Sequence, residues 1–151
     1  GLPFSLTKLK LFSWHKWLGV TILGLVAIRL LYRLFQATPP YPDSTEKWEK
    51  VAAHSVHLAL YFFMFAVPLS GYFYTYAAGF PVVYLGLVVL PAPIAPDPLL
   101  KVQLKTLHEV LTTGMLMLIS LHIAAALKHH FIDKDSIINR MLPRALTKDT
   151  Q

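Results

Sequence analysis

The chain has 151 residues, of which 55% are hydrophobic and only 15% are charged, and its formal net charge is +6. A soluble domain carries about 25% charged residues, so this composition indicates a membrane protein. The chain has no cysteine, which excludes disulfides, iron–sulfur clusters and the covalent attachment of c-type haem. In so apolar a chain a basic excess marks the ends of membrane spans, and we expect no nucleic-acid partner.

Three apolar segments are long enough to cross a lipid bilayer, which takes about 20 helical residues. They predict an all-α integral membrane helical bundle with three spans, at about 13–35, 46–78 and 102–131. Pro68 and Gly71 predict a kink in the second span. The segment 79–98 is apolar but contains five prolines. We expect it to form a half-buried cap or a short helix on the outer surface of the bundle, and we expect residues 1–151 to form a single domain.

Basic residues are distributed unequally between the two sides of the predicted bundle. The side with the C-terminal tail has nine of them: Arg29, Arg33, Lys47, Lys50, Lys128, Lys134, Arg140, Arg144 and Lys148. The other side has five: Lys8, Lys10, Lys16, Lys101 and Lys105. This excess predicts a multi-pass protein with its C-terminus in the cytoplasm and with His15 near the outer face.

Three histidines lie at depths in the membrane that suggest that they bind a cofactor. His122 lies deep in the third span, where an imidazole is costly unless it has a function. His108 precedes it by 14 residues, about 1400° of rotation and ~21 Å of helix, so both project from nearly one face, near opposite membrane surfaces. His15 has the same depth as His108. Two histidines that face each other from different helices can bind both axial positions of a haem iron, so these three are candidate haem ligands.

Small residues near these histidines would allow a flat macrocycle to approach the backbone, although small residues also serve helix packing. They are Gly19, Gly114 and Ala124 to Ala126. Ligation by two histidines leaves no open coordination position, so electron transfer rather than oxygen activation is the expected chemistry. Two haems about 20 Å apart along the membrane normal would carry electrons across the bilayer.

The remaining histidines allow more than one interpretation. His54 and His57 lie one turn apart near the inner surface, where they could bind a metal, contact a haem propionate or be ordinary interfacial residues. His129 could donate to a quinone carbonyl, with a basic interfacial cluster as the alternative. For His15 or His108 alone, the alternative is an interfacial or packing role. Zinc is the competing metal, but a zinc site requires ligands that converge on one point.

The histidines lie within a set of characteristic stretches: WHKWLG, IRLLYRL, AAHSVHLALYFFMFAVPLSGY, AAGFPVVYLGL, LKTLHEV and LHIAAALKHHFIDKDSIINRMLP. In combination these stretches resemble the bacterial cytochrome b561 family of small di-haem proteins, over nearly the whole chain. The resemblance implies a four-helix bundle in the cytoplasmic (inner) membrane, so that residues 1–151 form a transmembrane cytochrome b domain with two b-type haems. The counterparts of His15 and His108 would bind the periplasmic haem. The cytoplasmic haem would be bound by the counterpart of His122 and by a histidine on the family's first helix.

The chain departs from this family pattern in one respect. Three spans are present where the family has four, and the first family helix, which carries the fourth ligand, has no counterpart. We expect the chain to be part of a longer protein. His54 and His57 have a suitable depth to replace the missing ligand and are the fallback candidates.

The resemblance also implies a quinone-linked oxidoreductase. Family members exchange electrons with the quinone pool, and one branch oxidises superoxide at the periplasmic face while it reduces ubiquinone. For this chain the resemblance implies ubiquinone as the substrate and His129 as the candidate quinone contact. Superoxide is one candidate periplasmic donor. The five outer lysines would attract an anion, with a solvated rim as the alternative.

Two other functions fit the same residues. The first is a haem-bearing membrane anchor subunit that passes electrons inward from a periplasmic dehydrogenase or hydrogenase. The second is a histidine-lined metal or proton transporter, for which we would expect acidic residues within the spans. The acidic residues of the spans, Glu46, Glu49 and Glu109, all lie near span ends, and the spans contain no others.

Overall fold

The computed structural model describes residues 5–36 and 47–131, except the side chains of Glu49, His129 and His130. Within this part of the chain the elements are α1 (Leu6–Leu34), α2 (Lys47–Ala77), β1 (Val83–Tyr84), β2 (Val88–Val89) and α3 (Pro98–Phe131). All three helices are apolar enough to cross a membrane. At ~1.5 Å per residue each exceeds the ~30 Å hydrocarbon core. The all-α prediction with three membrane spans is therefore confirmed.

The described residues are divided into two compact units, and the division lies between Met115 and Leu116. The first unit contains α1, α2, the two strands and the first half of α3. The second contains the rest of α3, with His122. A single domain over residues 1–151 stays a prediction.

Two helices begin earlier than the predicted spans because side chains cap their ends. The Ser5 hydroxyl accepts a hydrogen bond from the Lys8 amide at 3.2 Å, and α1 starts at Leu6 rather than near residue 13. Asp97 caps α3, because its Oδ1 accepts from the amides of Leu99 and Leu100 at 2.8 and 3.0 Å. Pro98 takes the first helical position, where its missing N–H costs nothing. α3 therefore starts at Pro98, not near residue 102.

The segment between α2 and α3 contains an antiparallel β-hairpin, and the short helix considered for this segment is absent. β1 and β2 pair with Val83 opposite Val89 and Tyr84 opposite Val88. The turn between the strands places Leu85 at φ 53° and Gly86 at φ 75°. Two successive left-handed residues give a turn whose twist matches that of the paired strands, which explains why a hairpin forms here.

Side chains of α1 and α2 hold this hairpin through its backbone. The Trp17 indole donates to the Val83 carbonyl at 2.7 Å. The Tyr76 hydroxyl donates to the Leu90 carbonyl and accepts from the amide of Val82, whose residue is only 1% exposed. The hairpin is therefore fixed against the end of α1 and α2 that carries His15, which we call the His15 end.

Many large apolar side chains of the helices are not covered by other residues of the protein, among them Leu18, Leu25 and Ile28 of α1. A chain that crosses a membrane covers such side chains with lipid instead of protein, so a small protein core is expected. α1 packs against α2, and a Cβ at Gly19 would lie 3.9 Å from the Pro68 side chain, which is an ordinary van der Waals distance. Gly19 therefore lies on the face of α1 that packs against α2.

Candidate functional site

The structure brings His15 of α1 and His108 of α3 together. Their ring centroids are 6.1 Å apart and their ring planes are inclined at 85°. Both residues belong to the first unit. The pair lies at the His15 end, close to Trp17 and the hairpin. The predicted juxtaposition of these two imidazoles on different helices is therefore present.

The orientation of His108 is fixed by α2. Its Nδ1 lies 3.1 Å from the Val67 carbonyl oxygen and 3.0 Å from the Ser70 hydroxyl. The same Ser70 hydroxyl donates to the Val67 carbonyl at 2.8 Å. Because a carbonyl oxygen can only accept, Nδ1 carries the hydrogen and Nε2 keeps its lone pair. This hydrogen bond from one ring nitrogen to a carbonyl is the arrangement that orients histidine metal ligands.

Gly71 makes room for the His108 ring. A Cβ built on Gly71 would lie 3.0 Å from Cε1 and 3.3 Å from Nδ1 of His108. Such distances are too short for an undisturbed contact, so any larger residue at position 71 would displace the imidazole. The glycine predicted to kink α2 therefore provides space for a candidate ligand.

Gly114, the other small residue singled out in α3, faces an aromatic ring of α2. A Cβ at Gly114 would lie 3.0 Å from Cζ of Phe63. Gly114 therefore lets α3 approach α2, which is the packing role that small residues commonly have in membranes.

His54 and His57 line a cavity of about 580 Å³ between α1 and α2. Most of its lining is apolar, and Tyr61 and Arg33 are among the polar residues. The two histidines share one helix, and the α1 residues that line the cavity are Leu30 and Arg33. The cavity therefore does not place an imidazole on each of its two sides.

The other predicted site residues lie elsewhere. His122, with Ala124 to Ala126, belongs to the second unit, and its part in binding a haem stays a prediction. The side chain of His129 lies outside the described residues, so its proposed quinone contact also stays a prediction. Within the part of the chain that the structure describes, no three His, Cys, Asp or Glu side chains converge as a zinc site requires.

Lys105 and Lys16, which belong to the five lysines predicted to attract an anion, contact other groups at the His15 end. Lys105 forms an ion pair with Glu109 at 2.9 Å, and both side chains are largely exposed. Lys16 donates to the Pro81 carbonyl at 3.5 Å, which directs it toward the hairpin. The charge of Lys105 is therefore compensated locally by a carboxylate.

Comparison with known proteins identifies the family of the chain. A profile described as prokaryotic cytochrome b561 matches residues 2–144. The chain belongs to the prokaryotic cytochrome b561 family. It is therefore a multi-pass membrane protein of the b-type cytochrome class, and its chemistry is electron transfer.

Three curated relatives of this cytochrome b561 family are similar over most of their length. Cytochrome b561 homolog 2 of Escherichia coli K12 is 35% identical over 87% of this chain and 70% of its own length. Cytochrome b561 homolog 1 of the same strain is 31% identical, over 93% and 79%. The probable superoxide oxidase CybB of Yersinia pestis is 32% identical, over 83% and 71%.

The geometry of the His15–His108 pair fits the b-type haem that the cytochrome b561 family implies. Metal–nitrogen bonds of about 2.0–2.1 Å on both sides of one ion place two imidazole centroids roughly 6–6.5 Å apart. The observed separation of 6.1 Å lies in that range. The lone pair left on Nε2 of His108 and the space at Gly71 also suit a metal-bound imidazole.

The sequence did not reveal the residues that orient His108. Ser70 and the Val67 carbonyl belong to the stretch AVPLSG, in which only the proline and glycine were noted, as a kink. A helical serine usually bonds its own backbone, as Ser70 also does, so its residue type carries little signal. The spacing of proline, serine and glycine opposite a histidine of another helix could have suggested the contact.

Proposed function

We propose that the chain transfers electrons across the bacterial inner membrane through two b-type haems, from a small periplasmic donor to ubiquinone. The observation that carries the proposal is the His15–His108 pair, with centroids 6.1 Å apart. Family membership supports the haem and electron transfer. The number of haems, the quinone and the donor are parts of the proposal.

In the proposed mechanism His15 and His108 would hold the outer haem. When bound there, a haem with two histidine ligands supplies reversible one-electron transfer and offers no open position to oxygen. Val67 and Ser70 keep the hydrogen of His108 on Nδ1, so that Nε2 remains a ligand. Gly71 lets the ring stand close to α2.

His122 would hold the inner haem, together with a histidine of the family's first helix or, failing that, His54 or His57. His129 would contact ubiquinone at the same end. The basic excess on that side supports a cytoplasmic location for the C-terminus. Two haems on one helix, about 20 Å apart, would connect the two membrane surfaces.

Superoxide is the donor that the comparisons favour, because one relative is described as a probable superoxide oxidase. Lysines at the His15 end would raise the local concentration of an anion near the outer haem. Lys10 and Lys101 would contribute more than Lys105, which is paired with Glu109, and Lys16, which is directed to the hairpin.

The test is the visible spectrum and the haem content of the purified protein, in the oxidised and reduced forms. We expect two haems per chain with a low-spin b-type spectrum. His108→Ala and His15→Ala should each leave one haem, because each removes an axial ligand of the same iron. His122→Ala should remove the other haem. His54→Ala and His57→Ala test the fallback ligands: loss of the inner haem in one of them would identify its second ligand, and survival of both haems would leave that role to a histidine of the family's first helix.

Survival of both haems in His108→Ala and in His15→Ala would contradict the proposed pairing. Absence of haem from the unmodified protein would refute the whole proposal. Reduction of ubiquinone by superoxide with the isolated protein would support the donor. Activity that requires a copurifying dehydrogenase would indicate the anchor function instead.

A further inference from the structure

The cavity between α1 and α2 lies on a different face of α2 from the one that contacts His108. Phe63, Val67 and Gly71 approach the first half of α3, through Gly114 and His108. His54 precedes Phe63 by nine residues, about 900° of rotation, which places it half a turn away. The cavity therefore opens away from the proposed outer haem site.

Arg33 and Tyr61 line one end of this cavity, and a second permanent cation, Arg29, contacts the same tyrosine from outside the lining. The Arg29 Nε donates to the Tyr61 hydroxyl at 3.3 Å. The Arg33 guanidinium lies 5.5 Å from the centroid of the Tyr61 ring. His54 and His57 line the same cavity. Among its described lining residues none has a carboxylate.

The rest of the cavity is suited to hydrocarbon. Its other lining residues are Leu30, Leu58, Phe62, Phe65, Ala66 and Leu69. The five of these residues that belong to α2 extend from the charged end of the cavity over more than two helical turns. A groove with this chemistry matches an amphiphile that has an anionic head and an apolar tail.

We propose that the α1–α2 cavity binds an anionic phospholipid, with its phosphate at Arg29 and Arg33 and an acyl chain along Leu58 to Leu69. Basic pockets between transmembrane helices bind anionic headgroups in this way. The described lining residues do not place an imidazole on each side, as a haem with two histidine ligands would need, and two guanidinium groups match a charged phosphate better than a neutral quinone. The proposal rests on the part of the proposed function in which the inner haem takes its second ligand from the family's first helix and not from His54 or His57.

The test compares the unmodified protein in nanodiscs of phosphatidylcholine alone and of phosphatidylcholine mixed with phosphatidylglycerol. Phosphatidylglycerol should raise the melting temperature in a saturable way, because a ligand that binds only the folded state stabilises it. Native mass spectrometry should detect about one retained phosphatidylglycerol per chain.

Two variants remove the site by different routes. Arg29→Gln with Arg33→Gln should weaken retention of phosphatidylglycerol by about fivefold per arginine and roughly 30-fold in total. Ala66→Trp fills the apolar part and leaves both arginines, and it should also abolish retention. The control is Lys10→Gln with Lys101→Gln, which removes the same charge at the His15 end and should leave retention unchanged.

The haem spectrum and the quinone content of each variant identify a competing occupant. Both should be unchanged in the arginine variant. Loss of a haem with phosphatidylglycerol retention intact would show that the cavity contacts a propionate, and loss of copurifying quinone alone would show a quinone site. An equal loss of phosphatidylglycerol retention in the lysine control, or an equal rise of the melting temperature in phosphatidylcholine alone, would show that lipid surrounds the protein without a specific site. Each of these results would overturn the proposal.

Discussion

His108 and His15 are held very differently, although they form one pair. His108 is oriented by the Val67 carbonyl and the Ser70 hydroxyl, and it is partly buried. His15 is exposed on the chain. At the residue scale, α2 therefore determines the orientation of His108, although that histidine belongs to α3.

Gly71→Ala should weaken binding of the proposed outer haem. The new Cβ would lie 3.0 Å from Cε1 of His108, so the ring must move while its Nδ1 is held by α2. Disturbing the surroundings of a histidine ligand typically costs 10–100-fold in metal affinity, and we expect about tenfold here. Haem content per chain after titration with haem is the measurement.

Gly24→Ala is the matched control for this prediction, because nothing lies within 4 Å of a Cβ at Gly24. It should keep the haem and gain helix stability of about 0.5–1 kcal/mol, since alanine replaces glycine in a helix interior. Equal haem affinity in both variants would show that Gly71 has no role at the site.

The candidate ligands could be chosen from the sequence because depth and helical periodicity are properties of single segments. His15 and His108 were paired by depth alone, and the structure places their rings together. The contacts of His108 with Val67, Ser70 and Gly71 depend on how α2 and α3 face each other. No pattern within either segment contains that information.

At the scale of elements, the spans were predictable and the helix starts were not. Hydropathy detects the part of a helix that lies in lipid, whereas caps such as Ser5 and Asp97 determine where hydrogen bonding begins. The hairpin was missed for a related reason. Its turn depends on left-handed backbone at Leu85 and Gly86, and leucine is an unusual residue at such a position.

Asp97→Ala should destabilise the start of α3. It removes the acceptor of the amides of Leu99 and Leu100, and loss of an N-cap costs about 1 kcal/mol. We expect the melting temperature, followed by circular dichroism in detergent, to fall by roughly 2–4 °C. Asp97→Asn keeps a capping oxygen and should remain near the unmodified value; a loss as large as that of alanine would mean that charge, not capping, is the source of the stability.

At the scale of the whole molecule, composition and the family resemblance predicted the membrane class correctly. The chain belongs to the cytochrome b561 family, and its described helices supply three spans. What the sequence did not show is how charge is distributed once side chains pair. Lys105 counted as a cation, but Glu109 one turn later compensates it.

This pairing leads to a prediction about attraction of the proposed anionic donor. Lys10→Gln with Lys101→Gln should lower the rate of superoxide oxidation several-fold at low ionic strength and should weaken its salt dependence. Lys105→Gln with Glu109→Gln leaves the net charge unaltered and should not change the rate. Stopped-flow measurements over a range of salt concentrations distinguish the two, and equal rates in both variants would leave the lysines as a solvated rim.

The oxygen that accepts from His108 belongs to the main chain of Val67. No replacement of the valine side chain can delete that acceptor. Position 67 should therefore accept other apolar residues without a change in the tautomer of the imidazole. Evolutionary constraint should instead fall on glycine four residues later, whose missing side chain has no substitute. In a saturation library, tolerance at 67 beside intolerance at 71 would be the genetic signature of a tautomer set by the backbone.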